Sequence, residues 1–390
     1  MKTVCAASVL HARSAFAPFG EVAILPDRAI RREDLLDATA LVVRSKTRVN
    51  AALLEGTPVT FVATATAGTD HLDTAWLDRA GIAWTGAPGC NANSVAEYAL
   101  AAMALLAAHA ASPLPGKTLG VVGCGNVGSR VADKAGLAGL RVLRNDPPRA
   151  LRRPPGDTAQ YHALDAILPQ ADILTFHVPL TDAPPHATRH LANCRLLGRL
   201  KPGAWLLNTS RGAVADTDAL QVALASHCLS GCVLDVWENE PAGIPDALDR
   251  AALFLTPHIA GYSYEGLLNG TLQCRRELAR YLELDLPAWT PPPGALPPPP
   301  PPITLSGKGK SPTEILAAVL SAACPIPADS ASWRAQARTA PDETALRARF
   351  DTFRRTYTAR REFAAHRLLL SDCPPDLLDL LAALGFQIRA

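Results

Sequence analysis

Three short segments carry side chains that can hold a carboxylate, accept a proton and keep the acceptor oriented. They are Leu207-Asn-Thr-Ser-Arg-Gly-Ala213, Leu234-Asp-Val-Trp-Glu-Asn-Glu-Pro241 and Thr256-Pro-His-Ile-Ala-Gly261. Each opens at the end of a short apolar run that reads as a strand of a parallel sheet, and such sheets bind ligands at the carboxyl ends of their strands. Arg211 can clamp a carboxylate through two parallel hydrogen bonds and stays charged at any working pH. It can also polarise a developing carbonyl. His258 is the candidate base for a hydroxyl proton. Asp235, Glu238 and Glu240 are the carboxylates within reach in the chain, and Glu240 is the preferred partner to orient the ring. An arginine, an acid and a histidine at successive strand ends suit removal of a proton and a hydride from one carbon.

The hydride needs an acceptor, and the segment from Thr118 to Asp146 supplies a place for one. Thr118-Leu-Gly-Val-Val-Gly123 reads as a buried strand, Gly123-Cys-Gly-Asn-Val-Gly128 follows at once, and helical spacing begins by Ser129. Gly123 permits a tight turn, Gly125 lets the backbone approach a pyrophosphate, and Gly128 lets helix and strand pack closely. Asn126 and Val127 complete the turn at the helix start, where free N–H groups and the positive dipole end face the phosphates. Asp146, 18 residues beyond Gly128, can accept from the adenosine ribose and repel a 2′-phosphate. Its neighbours Arg144 and Arg149 leave NADP open, but NAD is favoured.

These residues need a scaffold, and the chain is long enough for one. Its 390 residues allow two or three domains, and 48% apolar with 19% charged residues is a globular composition. A net charge of +2 predicts neither nucleic-acid nor membrane binding. Nine scattered cysteines without ligand-like spacing argue for reduced thiols and a cytoplasmic location, and against a disulfide framework or a metal site. His11 and Arg13 interrupt the first apolar run before it could serve as a signal-peptide core.

Strands are predicted at 3–10, 21–25, 40–44, 59–63 and 82–85, with helices at 32–38, 50–54 and 73–80 between them. A long helix over 93–111 follows. The second series adds strands at 173–176, 204–208, 231–235 and 253–255, then a helix near 266–282. Six consecutive prolines, Pro297 to Pro302, predict an extended linker. Beyond it, helices are predicted at 312–323, 343–357 and 375–384 and strands at 367–370 and 386–389. The expected architecture is α/β: two Rossmann-like, doubly wound parallel-sheet domains and a small C-terminal α+β domain.

Further segments carry a resemblance. They are Val43-Arg-Ser-Lys-Thr47, Phe61-Val-Ala-Thr-Ala-Thr-Ala-Gly-Thr-Asp-His71, Ala87-Pro-Gly-Cys-Asn-Ala92, Asp146-Pro-Pro-Arg149, Ala171-Asp-Ile-Leu-Thr-Phe-His177 and His258-Ile-Ala-Gly-Tyr262. With the strand-end segments and the glycine turn, they make the chain resemble the D-isomer-specific 2-hydroxyacid dehydrogenases over nearly its whole length. Within that family it is most similar to the members acting on 4-phospho-D-erythronate.

The resemblance implies NAD-dependent oxidation of that acid to (R)-3-hydroxy-2-oxo-4-phosphobutanoate in vitamin B6 biosynthesis, by a homodimer. It implies a substrate domain of residues 1–95 and 265–289, an NAD-binding domain of 96–264, a linker of 290–302 and a dimerisation domain of 303–390. It assigns substrate contacts to Ser45, Thr66 and Tyr262, and cofactor contacts to Asp146, Thr175, Thr209, Ser210, Arg211, Asp235 and Gly261. Its catalytic set is again Arg211, Glu240 and His258. The substrate phosphate would need a cation, with Arg44 as one candidate; Arg360 or Arg361, reaching the active site of another subunit, is the other. The competing readings are oxidation of 3-phosphoglycerate, glycerate or lactate by the same chemistry, and a non-catalytic NAD-sensing scaffold.

Overall fold

The computed structural model describes residues 1–153 and 156–389. It divides into two compact units, one of residues 1–91 with 262–299 and one of residues 92–261 with 300–390. The first is built on a five-stranded parallel sheet of β1 (Lys2–Ala6), β2 (Glu21–Leu25), β3 (Ala40–Val43), β4 (Phe61–Thr64) and β5 (Ala83–Thr85), in the order β2-β1-β3-β4-β5. All residues of β3 and β4 are buried, as expected of parallel strands covered on both faces, which read as unbroken apolar runs. The helix Tyr264–Tyr281 belongs to this unit, and Cys274 and Leu278 join its core. Gly270 lets that helix approach closely, since a Cβ there would lie 2.7 Å from the Ala65 carbonyl oxygen.

The second unit carries β6 (Thr118–Val122), β7 (Arg141–Asn145), β8 (Ile173–Phe176), β9 (Ala204–Asn208), β10 (Leu229–Leu234) and β11 (Ala252–Leu255), in the order β11-β10-β9-β8-β6-β7. Every neighbouring pair is parallel. The strand order reverses between β6 and β8, and such a switch point opens a crevice at the carboxyl ends of the strands. The helix Ala92–His109 is buried around nearly its whole circumference because it is flanked by the helix Asn126–Leu137 and by the C-terminal helix Pro312–Ala323. An all-round apolar helix of this kind is stable only when covered on every side.

A third sheet, β12 (Ile303–Ser306), β13 (Arg367–Ser371) and β14 (Gln387–Arg389), follows the proline run; its three strands are also parallel. The sequence does not predict β12, which begins directly after six prolines, nor the helix Ile326–Arg338. Pro325 and Pro327 read as breakers, yet Pro327 sits in the first helical turn, where a missing N–H costs nothing. The expected strand 3–10 ends at Ala6, and a short helix, Ala12–Phe16, buries Phe16 instead. No single helix among the described residues is long and apolar enough to cross a membrane.

The C-terminal segment is anchored on the end of β10 and on β11. Trp333 stacks on Trp237 at 6.0 Å between centroids, Arg334 and Arg338 share Asp249 at 2.8 Å each, and Ser330 accepts the Leu255 N–H at 2.9 Å. A second anchor is buried. Glu97 accepts from Asn93 and from the Phe363 N–H, both at 3.0 Å. Burial, with nearby Glu362, pushes its carboxyl up to about 7, against the pull of Lys134, the Phe363 N–H and Arg360.

A carboxyl raised in the folded state favours folding when protonated, so this contribution is present below pH ~4.5 and is lost as pH rises through 7. Glu97→Gln is therefore expected to raise Tm at pH 8, with little change at pH 4.5. The gain is bounded by about 3 kcal/mol. Melting curves at the two pH values test this, and an equal shift at both would refute it.

Candidate active site

Arg211, Glu240 and His258 follow three adjacent strands, β9, β10 and β11, at their carboxyl ends. Asn208 shapes the first of these loops. Its side-chain oxygen accepts the Ser210 N–H at 3.1 Å and the Ser210 hydroxyl at 2.8 Å, while its amide donates to the Arg211 carbonyl at 2.9 Å. Gly212 follows because no other residue fits: a Cβ there would lie 1.9 Å from the Trp237 carbonyl oxygen. The Arg211 turn is thereby pressed against the loop that carries Glu240.

The three acids of that loop have separate partners. Glu240 Oε1 lies 2.5 Å from His258 Nδ1, and its Oε2 is buried with no hydrogen-bond partner among the described residues. Glu238 pairs with His190 at 2.7 Å, an interaction that holds its carboxyl below the usual range against the opposing effect of burial. Asp235 is 1% exposed and binds the histidine loop itself. It accepts the Thr256 hydroxyl at 2.7 Å and the Ile259 and Ala260 N–H groups at 2.8 and 2.9 Å. Burial pushes its carboxyl up to about 6 despite His258 and these donors.

His258 has φ 55°, a left-handed conformation unusual for a side-chain-bearing residue. It is held there by a 2.7 Å bond from its N–H to the Asp235 carbonyl and by the carboxylate on the next two N–H groups. Strain of this kind persists where neighbouring structure over-determines it. Nδ1 is tied to Glu240, and Nε2 carries no hydrogen bond among the described residues. The ring is oriented with one nitrogen available for proton transfer.

The glycine turn fits a dinucleotide. Gly123 has φ 87°, and a Cβ there would lie 2.6 Å from the His177 carbonyl oxygen. A Cβ on Gly128 would lie 1.8 Å from the Gly123 carbonyl oxygen, whereas one on Gly125 meets nothing within 4 Å. Two glycines are thus required by the fold, and the third leaves open the space a pyrophosphate needs. Asn126 and Val127 open the helix Asn126–Leu137. Asp146 ties the turn together, accepting the Cys124 N–H at 2.8 Å and the Arg149 N–H at 2.9 Å.

Beside the turn lies a cavity of about 470 Å³ lined in part by Cys124, Arg144, Arg149, Asp157 and Tyr161. Arg149 pairs with Asp157 at 2.6 Å and Arg144 with Asp133 at 3.2 Å. Both guanidinium groups flanking Asp146 are already matched by carboxylates, which favours NAD over a phosphorylated cofactor. Burial pushes the Cys124 thiol up to about 12, so it is no nucleophile.

Thr175 is fully buried, and its hydroxyl bonds to His177 Nε2 at 3.0 Å; Thr209 stands 3.4 Å from His177 Nδ1. Burial lowers His177 to about 3, so it links the ends of β8 and β9 as a neutral ring. Thr175 and Asp235 present the least surface of the candidate cofactor residues outside the glycine turn. Ser210 is buried, and Gly261 is half-buried at the end of the histidine loop.

In the other unit, Ser45 is exposed in the turn after β3, and the Thr66 hydroxyl donates to the Gly68 carbonyl at 2.8 Å. Thr66 also meets Thr64, which bonds to His71. The Arg44 guanidinium lies 5.5 Å from the centre of the Tyr262 ring. Its Nε is buried without a hydrogen-bond partner among the described residues.

Arg360 is not available to another subunit. It is 8% exposed and donates to the Ser94 and Ala260 carbonyls of its own unit, at 2.5 and 2.9 Å. The sequence also gives no hint of Tyr98, whose buried hydroxyl lies 2.6 Å from Thr256 Oγ1 across 158 residues of chain.

Residues 102–260 match the family model for the D-isomer specific 2-hydroxyacid dehydrogenase NAD binding domain. An erythronate-4-phosphate dehydrogenase of Azotobacter vinelandii is 44% identical over 95% of this chain and 96% of its own. This chain belongs to the D-isomer-specific 2-hydroxyacid dehydrogenases. It is an NAD-dependent oxidoreductase with a parallel, Rossmann-like cofactor domain.

A second erythronate-4-phosphate dehydrogenase, from Edwardsiella ictaluri, is 42% identical over 100% of both chains. Among solved structures, the D-lactate dehydrogenase of Aquifex aeolicus complexed with NAD and lactic acid is similar, with a TM-score of 0.59 and 25% identity. It covers 72% of this dehydrogenase and 95% of its own chain. The Thermus thermophilus protein TT0316 gives a TM-score of 0.62 at 27% identity, with 74% and 99% covered. About a quarter of this dehydrogenase therefore has no counterpart in those structures, a share close to the length of its C-terminal segment.

Proposed function

We propose that the chain oxidises 4-phospho-D-erythronate to (R)-3-hydroxy-2-oxo-4-phosphobutanoate in vitamin B6 biosynthesis, with NAD as acceptor. The observation that carries the chemistry is the His258–Glu240 pair at 2.5 Å, beside an arginine at the neighbouring strand end. The name and full-length similarity of the relatives support the substrate. Arg211 binds the substrate carboxylate, and its charge stabilises the carbonyl oxygen as the C2 hydroxyl is oxidised. His258 Nε2 takes the hydroxyl proton, and Glu240 on Nδ1 keeps the tautomer and balances the imidazolium that forms. NAD, when bound, accepts the hydride from the same carbon. The glycine turn, Asp146, Thr175, Thr209, Ser210, Asp235 and Gly261 are assigned to holding NAD, directly or through their neighbours.

Ser45, Thr66 and Tyr262 are assigned to the substrate, with Arg44 as the cation for its phosphate. We further assign a cytoplasmic location, supported by free thiols at all nine cysteines, and a homodimer formed through residues 303–390. Sedimentation velocity tests the dimer.

Arg44→Ala is expected to raise KM for the phosphorylated acid about 10- to 100-fold, the worth of a charge-assisted hydrogen bond. KM for D-glycerate should stay unchanged. Equal effects on both acids would remove Arg44 from the phosphate site. The reading itself is tested by reduced-nicotinamide absorbance with 4-phosphoerythronate, 3-phosphoglycerate, D-glycerate and D-lactate, with a keto-acid trap present. Turnover of 4-phosphoerythronate alone supports it. Preference for another acid overturns the substrate, and silence with all four overturns the enzyme reading in favour of an NAD-sensing scaffold.

A further inference from the structure

We propose that Arg360, carried by the C-terminal segment, is a positioning residue that fixes the His258 loop through the Ala260 carbonyl; this rests on His258 being the base. The Ala260 backbone is held at both its N–H and its carbonyl. Its N–H donates to Asp235 Oδ2 at 2.9 Å, and its carbonyl accepts from Arg360 Nη2 at 2.9 Å. The same Nη2 donates to the Ser94 carbonyl at 2.5 Å.

Two residues on, Glu362 accepts from the Ser94 hydroxyl at 2.7 Å and from the Asn93 amide at 2.6 Å. Arg360 and Glu362 therefore hold the start of the helix Ala92–His109 as well as the loop. That helix supplies a second path to the loop, because Tyr98 meets Thr256 at 2.6 Å and Thr256 donates to Asp235 at 2.7 Å. One short stretch of the C-terminal segment thus reaches the histidine loop directly at Ala260 and indirectly at Thr256.

Tethering the segment does not require this arginine. Trp333 on Trp237, the shared Asp249 and a core containing Leu320, Leu368 and Leu381 already do that. A buried guanidinium is a costly adhesive compared with apolar packing. Its placement two residues from His258 gives it another purpose: it locks a left-handed, non-glycine loop that Asp235 grips from only one side.

The test compares full-length Arg360→Met, Arg360→Lys and Leu381→Ala, the last weakening the same segment away from the loop. Arg360→Met is expected to lower kcat at least about 30-fold, with KM and NAD affinity within about threefold of the parent. Arg360→Lys should recover part of kcat by restoring one donor. Leu381→Ala should lower Tm at least as far and leave kcat intact. Hydrogen exchange at the Ile259 and Ala260 amides is expected to quicken in Arg360→Met and not in Leu381→Ala. Unchanged exchange with parental kcat in Arg360→Met overturns the proposal, as does equal loss of kcat in the methionine and Leu381 variants. A parent protein inactive on every acid overturns the dehydrogenase reading instead, and the exchange measurement still decides whether Arg360 holds the loop.

Discussion

Replacing His258 by alanine is expected to lower kcat by about 10²- to 10⁴-fold, the usual contribution of a positioned general base. NAD affinity should be retained and KM should change little. The ring has one nitrogen tied, Nδ1 to Glu240 at 2.5 Å, and the other without a hydrogen bond among the described residues. Substrate carboxylate binding is assigned to Arg211, so the loss belongs to the chemical step and should appear in single-turnover NADH formation. Glu240→Gln should fall between parent and alanine variant, because an amide can still accept from Nδ1 but cannot balance an imidazolium. The double variant should be no slower than His258→Ala alone, as expected of residues acting as a unit. Glu238→Gln is the contrast: its carboxylate is engaged by His190, so kcat should remain within about threefold of the parent if the loop is intact. A His258→Ala rate within threefold of the parent would end the assignment.

The second large effect separates folding from cofactor binding within one hexapeptide. Gly128→Ala places a methyl group 1.8 Å from the Gly123 carbonyl oxygen, a backbone atom that cannot swing aside. The turn and helix must separate, at a cost of about 3 kcal/mol or more, and both Tm and NAD binding should fall. Gly125→Ala meets nothing within 4 Å at a φ of −74°, so Tm should hold within a degree or two. Its methyl group enters the space assigned to the pyrophosphate, and NAD affinity should fall at least about tenfold. Calorimetric titration with NAD beside thermal melts distinguishes the two variants. Unaltered NAD affinity in Gly125→Ala would mean that the cofactor does not approach the turn there.

Much of this architecture is legible in the chain because parallel strands covered on both faces leave a plain record. β2, β8 and β9 fall where apolar run length places them, and the glycine turn follows its strand directly. The pattern fails where local signals compete. Pro325 and Pro327 resemble breaks but begin a helix, and β12 follows prolines that cannot donate to a ladder. Strand pairing across the 60 residues between Ser306 and Arg367 leaves no local pattern either.

Residue types and their spacing place an arginine, acids and a histidine at strand ends, beside a glycine turn suited to a dinucleotide. Residue type and spacing within one element are enough to specify a turn, a strand end or a helix start. Tertiary structure decided which acid holds which group: Glu240 the His258 ring, Glu238 His190, and Asp235 the loop backbone. It also turned Arg360 inward onto Ala260 rather than outward, and brought Tyr98 to Thr256. Such pairings join residues tens to hundreds of positions apart, and their partners are set by how strands and helices stack, for which the linear order of side chains carries no period or spacing.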